Sequence, residues 1–378
     1  MSGALSGIRV LEIGHMLAAP YCGLLLADLG AEVIKIEPPE GDIGRRISPH
    51  WVGPHNVYFA SLNRNKRSVV LDLASDAGQR ALHALAADAH ALITNLRPGA
   101  IRKLGLTYDK LRATNPKLVC VALTGYGLDS PLAERPAYDY VIQALTGIMA
   151  ITGEPGGPPT KTGYSAVDNS AGIMAALGLL AKIIEGKGGQ IDVAMYDVML
   201  SQLNYLAAGW LNAGDAPQRH SHSAHPYIVP AQLFRTQDDW LAVFITHDDF
   251  WRRFAAELDR PDWISNPKFA TMDGRRTNRT TVLEAIQAVL LSDTTANWVR
   301  RLAPLGVVVS GVETLEAALA GEHAAHRKMV TEIATPAGPI RLAANPIKVV
   351  GEPDRAAAAP PVLGEHTVTY LAPREAAK

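Results

Sequence analysis

Cysteine is scarce in this chain. Cys22 and Cys120 are the only two among 378 residues, too few for a disulfide framework or a cysteine-ligated zinc site, and a reducing cytoplasm is the expected compartment. An excess of either charge is also missing, because 36 Lys and Arg face 37 Asp and Glu for a formal net charge of -1. So balanced a chain carries no global basic field, which disfavours nucleic acid and membrane surfaces as partners but leaves room for a local cationic patch. Met1 to Ile8 lacks a charged stretch followed by an apolar core and a cleavage site, so no secretory signal is expected. No window of about 18 apolar residues stands clear of charges and turn formers, so no membrane span is expected either. Neither the glycine-rich dinucleotide fingerprint after the first apolar run nor a nucleotide-binding glycine-lysine loop occurs, and dinucleotide cofactors and nucleotide hydrolysis lose their usual marks.

What is present is an ordinary globular composition, 48% hydrophobic and 19% charged, in a chain long enough for two units with separate cores. Ile8 to Ile13 is a short apolar, β-branched run that reads as a strand, and Pro20 to Leu29 has helical spacing. Ala31 to Glu37 reads as a second strand, stopped by Pro38-Pro39. The alternation continues with strands at Ser68 to Leu73, Ala91 to Leu96 and Leu118 to Leu123, and helices at Asp76 to Ala89 and Tyr108 to Thr114. Such alternation predicts a doubly wound parallel α/β sheet with helices on both faces. Helices are expected at Pro136 to Ile148, Ala171 to Ile184 and Tyr196 to Leu211, with a sixth strand at Gln190 to Ala194.

Ligands of such sheets lie beyond the carboxyl ends of the strands. Three segments near those ends carry clustered cations: Arg45-Arg46, Arg64 with Lys66-Arg67, and Arg97 with Arg102-Lys103. One such cluster is usually a solvated face. Several converging on one sheet edge make a phosphorylated ligand about as plausible.

Texture changes at Asn212. His220, His222 and His225 crowd a turn-rich stretch ending at Pro230, which reads as a linker rather than a metal site because no acid or cysteine completes a ligand set. The domain plan is therefore a first part of the large domain at 1–211, a linker at 212–230, a small α+β domain at 231–320, and a return segment at 321–378. Within the small domain, Leu241 to Thr246 reads as a strand, Asp248 to Leu258 as a helix capped by Asp248 or Asp249, and Asp293 as the cap of a helix to Leu305. Met329 to Val350 reads as short antiparallel strands.

One carboxylate stands out. Asp168 lies among Ser165, Ala166, Asn169, Ser170, Ala171 and Gly172, just ahead of a strongly apolar run. The common use of such an aspartate is to cap a helix, where backbone N–H groups and the helix dipole would keep it ionised near neutral pH. The alternative is a nucleophile, with small neighbours admitting a bulky acyl group.

Arg9-Val10-Leu11-Glu12 with Ala18-Ala19-Pro20, Leu29-Gly30-Ala31-Glu32-Val33-Ile34-Lys35-Ile36-Glu37, Asn65-Lys66-Arg67-Ser68, Asn95-Leu96-Arg97-Pro98-Gly99, Val167-Asp168 and Leu363-Gly364-Glu365-His366-Thr367 together resemble the class III CoA-transferase family. That family includes formyl-CoA transferase, carnitine CoA-transferase and the α-methylacyl-CoA racemases. The likeness covers nearly the whole chain, and its specificity lies in the order and spacing of the pieces. It implies a Rossmann-like large domain made from both ends of the chain, an inserted smaller α+β domain, and an interlocked homodimer. It also implies that Asp168 is the catalytic carboxylate and that Ala18, Lys66, Asn95, Leu96, Arg97 and Lys103 face coenzyme A, which with its thioesters is a substrate and not a tightly bound cofactor. No metal is implied.

The expected activity is transfer of CoA, with succinyl-CoA as donor, to a small dicarboxylic or hydroxy acid through an aspartyl anhydride and an aspartyl-CoA thioester. Backbone amides around Asn169 and Ser170 are candidates to stabilise the oxyanions. Leu17 stands where formyl-CoA transferase has a glutamine, which makes oxalate and formate poor guesses, and Pro38 replaces a basic residue near the adenine end in some members. The racemase branch places a histidine where this chain has Tyr138, and an unperturbed tyrosine near 10 suits two-base proton exchange poorly. Transfer is therefore preferred over racemisation and over a non-catalytic CoA-binding role. Tyr138 either bonds an acyl or carboxylate oxygen or packs in the core, and Arg46, His222 and His225 are candidate partners for a distal carboxylate of the acid.

Overall fold

The inner strands are buried along most of their length, as expected for a sheet covered on both faces. In the computed structural model, which describes residues 3–372, β1 (Arg9–Ile13), β2 (Glu32–Glu37), β3 (Arg67–Val70), β4 (Ala91–Thr94), β5 (Val119–Thr124) and β6 (Gly189–Ala194) form one sheet. Their order is β3-β2-β1-β4-β5-β6 with every pairing parallel, and Leu11 sits in register with Ile34 on one side and Leu92 on the other. The winding reverses between β1 and β4, so the loops that leave those two strands border a crevice. The helices that matter for the site are α1 (Ala18–Asp28), α2 (Val57–Asn63), α3 (Asp76–Ala87), α4 (Pro98–Lys103), α5 (Asp139–Leu145) and α6 (Ala166–Glu185). Leu82, Leu85 and Ala86 of α3 pack with Leu11, Ile34 and Leu92 in a core with almost no solvent access.

The chain divides into two compact units. One holds residues 1–146, 162–204 and 321–378; the other holds 147–161 and 205–320. Residues 147–161 and 205–211, which the sequence places in the large domain, cluster with the second unit. Gly147 at φ +84 stops the expected Pro136 to Ile148 helix short, and Asn204 at φ +22 splits the expected Tyr196 to Leu211 helix. Apolar spacing runs on through both breaks, so periodicity alone does not reveal them.

In the second unit, β7 (Ala231–Arg235), β8 (Trp240–Phe244) and β9 (Val308–Gly311) form an antiparallel sheet. Its core is aromatic, with Trp251 and Trp263 stacked at 5.8 Å. The caps differ from expectation. His247 occupies the cap position before the helix at Asp248–Glu257, and Thr294 rather than Asp293 caps the helix at Thr295–Leu302 by accepting from Asn297 N at 3.3 Å. Asp293 instead accepts from Thr294 N at 2.8 Å and Asn297 Nδ2 at 2.7 Å.

In the first unit the return segment forms the hairpin β10 (Val330–Ile333) and β11 (Ile340–Ala343), then closes the sheet edge. His366 N donates to Ser68 O at 2.9 Å, Gly364 N to Ser68 Oγ at 2.9 Å, and Thr367 Oγ1 accepts from Val70 N at 3.0 Å. The Leu363 to Thr367 motif thus satisfies backbone groups of β3 that an edge strand would leave open. One further difference concerns α6. Its 20 residues, with mean hydropathy 1.4 over an 18-residue window, are long and apolar enough to cross a membrane by length and composition, although the sequence reading finds no such window. One face of this helix is buried against α1, while Ile173, Leu177 and Ile184 stand exposed.

Candidate active site

α6 begins at Ala166, earlier than its apolar run suggests, and Asp168 is the third residue of its first turn. It does not cap the helix. That role falls to a carboxylate 29 residues away in the chain: Asp139 Oδ2 accepts from Val167 N at 2.8 Å and from Asp168 N at 3.4 Å. Asp139 is buried, and its other oxygen accepts from Gln143 Nε2 at 2.7 Å, while Gln143 Oε1 accepts from Thr162 N at 2.9 Å. The first amides of the helix are therefore occupied by an anion that reaches in from α5.

This arrangement reverses the electrostatics expected for Asp168. Burial, and next the nearby Asp139 carboxylate, push the Asp168 carboxyl up to about 7. A like charge beside a partly desolvated acid favours the proton. Burial and the Asp168 charge in turn push the Tyr58 phenol up to about 12, so that α2 presents a neutral hydroxyl in the field of Asp168. A carboxylate near neutrality and poorly solvated is a stronger base and nucleophile than an ordinary aspartate, and perturbation of this kind is typical of functional groups.

The small residues after Asp168 have a packing reason. A side chain at Gly172 would lie 2.8 Å from the Ala18 carbonyl oxygen and 3.3 Å from Cys22 N, so α6 crosses α1 in backbone contact there. Ala171 and Ala175 are fully buried. Asn169 N is spent inside the helix on Ser165 O at 3.1 Å, which corrects the expectation that its amide is free for an oxyanion.

The crevice loops are tied together near this point. Asn95, after β4, donates through Nδ2 to His15 O at 2.9 Å and accepts through Oδ1 from His15 N at 3.0 Å, locking the β1–α1 loop to the β4–α4 loop. Leu17 occupies the cap position of α1, and Ala18 opens the helix and is buried. Leu96 is half-buried against the core, while Arg97 at the start of α4 and Lys103 at its end are exposed. Lys66 is different. Its ammonium is buried, with Glu12 Oε2 at 2.7 Å, Pro20 O at 2.8 Å and Asn63 Oδ1 at 2.9 Å. All three of its protons have oxygens facing them.

Tyr138 caps α5 in position only, with its ring 58% exposed, so of its two expected roles core packing is ruled out within this unit. Arg46 lies exposed beside a cavity of about 350 Å³ lined also by Arg45, Trp51, His55 and Leu363. Arg45 is committed to Glu37 through two bonds of 2.7 Å. His222 and His225 belong to the second unit. His222 N donates to Glu154 Oε1 at 2.7 Å, and His225 Nδ1 accepts from Tyr227 N at 3.1 Å and Ile228 N at 3.2 Å. Among the described residues no cluster of His, Cys, Asp and Glu has the makings of a metal site.

Sequence reasoning, which meets Asp139 only as the neighbour of Tyr138, gives no role to Asp139, Gln143 or Tyr58. The i, i+4 spacing of Asp139 and Gln143 is a visible sign of a side-chain pair on a helix, but nothing local links them or Tyr58 to Asp168.

Known proteins share the sequence and the fold of this chain. Residues 5–367 match the family described as CoA-transferase family III. Among curated relatives, an acetyl-CoA:oxalate CoA-transferase of Acetobacter aceti is 34% identical over 93% of this chain and 90% of its own length. A succinyl-CoA:glutarate CoA-transferase of Homo sapiens is 31% identical over 97% of this chain and 84% of its own. Among solved structures, a CaiB/BaiF family protein from Brucella suis superposes with a TM-score of 0.84 at 31% identity, covering 98% of each chain.

Proposed function

This chain belongs to CoA-transferase family III and is an enzyme of that class, and from that premise we propose that it moves CoA from succinyl-CoA to a small dicarboxylic or hydroxy acid by covalent catalysis at Asp168. The observation that carries the proposal is the Asp168 carboxyl itself, raised to about 7 by burial and Asp139, with no cation paired to it among the described residues. Its anion attacks the thioester carbonyl, the thiolate leaves, and an aspartyl anhydride forms. The thiolate then attacks the aspartyl carbonyl, releasing the donor acid and leaving an aspartyl-CoA thioester. The acceptor carboxylate reverses these steps, and Asp168 is regenerated when CoA leaves with the new acyl group. Because the acyl bond energy is held in covalent intermediates, it is not lost to water.

Arg46, which lacks a carboxylate partner among the described residues, is the proposed contact for the distal carboxylate of the acid. Relatives named for succinyl-CoA with glutarate, mesaconate and D-citramalate support the choice of class, while the oxalate enzyme of Acetobacter aceti makes oxalate the rival acceptor to include. Oligomeric state is part of the same proposal. Ile173, Leu177 and Ile184 on α6, with Tyr140 and Tyr164 nearby in sequence to the site residues, expose apolar surface that a second copy of the chain would cover. A mass measurement by light scattering should give twice the 40.4 kDa chain.

The test incubates the protein with succinyl-CoA and a panel of acids and reads products by mass spectrometry, with Asp168→Ala as control. New acyl-CoA species from a dicarboxylic or hydroxy acid, and a hydroxylamine-trapped label on the peptide holding Asp168, are the expected results. Solvent deuterium appearing at the α-carbon of a branched 2-methylacyl-CoA without transfer would assign the racemase reaction instead. Tight CoA binding with neither chemistry would leave a binding protein.

A further inference from the structure

Beneath the β1–α1 loop lies a set of charges that the proposed reaction does not use. Glu12 on β1 is fully buried, and each of its oxygens faces a different lysine, with Oε1 2.9 Å from Lys35 Nζ and Oε2 2.7 Å from Lys66 Nζ. Both lysines then turn to the loop. Lys35 donates to the Gly14 carbonyl at 3.0 Å and pairs with Asp42 at 2.9 Å, and Lys66 donates to the Pro20 carbonyl at 2.8 Å. Asp42 Oδ1 accepts from Met16 N at 3.2 Å and Gly44 N at 2.8 Å. One connected set of charges therefore grips the loop at Gly14 and Met16, and the first turn of α1 behind it at Pro20.

The loop needs holding. Met16 sits at φ +61, a left-handed conformation that a side-chain-bearing residue keeps only when its surroundings determine it. α1 makes room for the anchor, since a side chain at Gly23 would lie 2.0 Å from Glu12 Oε2. Stability alone does not explain the arrangement, because apolar residues of similar volume usually serve a core as well as a buried ion set does or better. What the charges add is direction: around Glu12, Lys35 and Asp42 bond backbone groups of Gly14 and Met16 in the loop, and Lys66 bonds the Pro20 carbonyl in the first turn of α1.

We infer that Glu12, acting through Lys35 and Lys66, is a positioning residue that fixes the β1–α1 loop against the start of α6 and so shapes the crevice where the thioester meets Asp168. In its kinetic part this rests on the transfer reading above. It also gives Lys66 a role beneath the ligand site: the ammonium acts on the loop from below, through Pro20.

Two variants test it. Glu12→Gln keeps the shape and removes the shared charge, and Asp42→Asn, the milder change, keeps an acceptor for Met16 N while removing one partner of Lys35. Amide hydrogen exchange on the ligand-free protein reads the loop without any activity, and segment 14–20 should exchange about tenfold faster while β4 and β5 keep their protection. Steady-state kinetics should then show KM for the acyl-CoA raised about tenfold with kcat held within about threefold, since uniform binding is what a displaced loop loses. Unchanged exchange over 14–20 in both variants, or faster exchange spread evenly over the unit, overturns the inference. So does faster loop exchange with KM unmoved in an enzyme that transfers CoA. If the loop responds as expected and the unaltered protein moves no CoA between acids, the transfer reading falls and the positioning role stands.

Discussion

Glu12, fully buried, and Asp168, half-buried, are two carboxylates of the same unit, and they teach opposite lessons. Glu12 is enclosed by two ammonium groups and joins a set in which Glu12, Glu37 and Asp42 balance Lys35, Lys66 and Arg45. Burial alone would lower the Lys35 ammonium, but Glu12, Asp42 and Glu37 outweigh it and raise it, while Asp42 is held below the usual carboxylate range chiefly by Lys35 against its own burial. Lys35 and Asp42 are thereby held in their charged forms, whereas burial lowers Lys66 to about 8. Among the described residues no cation pairs with Asp168, and the charge that acts on it is another carboxylate, Asp139. A compensated charge becomes structure, whereas an uncompensated one stays chemically available.

The contrast is broken most severely by Asp168→Ala. Turnover should fall by about 10⁴-fold or more, as when a nucleophile is deleted, while the dissociation constant for CoA measured by calorimetry stays within about threefold. Retained turnover would assign the chemistry elsewhere. On the compensated side, Glu12→Leu strands the buried Lys66 ammonium and leaves Lys35 with Asp42 alone, and should cost about 3–5 kcal/mol of stability, read from the urea midpoint. A cost under about 1 kcal/mol would mean that water reaches the lysines.

The sign of the Asp168 shift gives a third expectation. Its folded value, about 7, lies above the model-peptide value of 3.8, so between these pH values the folded chain holds a proton that the unfolded chain has released. The stabilising effect of that proton is complete below pH 3.8 and lost as pH rises through 7, leaving the ionised site a penalty above neutrality. Asp168→Asn should therefore stabilise the fold at pH 8 by on the order of 1–3 kcal/mol, read as a higher Tm, and leave Tm unchanged near pH 3.5. Removing the neighbouring charge sharpens the comparison further. Asp139→Asn still offers an oxygen to Val167 N, and it should move the acid limb of kcat/KM down by about one pH unit without abolishing activity. The smallest effect belongs to a solvated pair: Arg102, exposed beside Glu134, should lose less than about 0.5 kcal/mol on Arg102→Ala in thermal unfolding.

Much of the sheet was legible in the sequence because each strand declares itself locally. Val10 to Ile13, Val33 to Ile36 and Val119 to Leu123 are short, apolar and β-branched, and alternation with helices leaves few ways to connect them. Breaks at Gly147 and Asn204 were not legible, since apolar spacing continues through them and only the backbone angle marks the stop. The second unit's cap at Thr294 escaped for a related reason, because Asp293 and Thr294 are both good caps and geometry chooses between neighbours.

By itself the sequence determined the doubly wound sheet, the loops that border its crevice, and the identity of Asp168 as the carboxylate to watch. Only the tertiary structure decided the state of that carboxylate. The amides expected to hold it ionised are taken by Asp139, which arrives from another helix, and the lysine expected at the ligand is folded under the loop by a glutamate on β1. Pattern and propensity are properties of neighbours along the chain. The charge on a buried acid depends on whatever the fold brings within a few ångströms of it, from any distance in sequence.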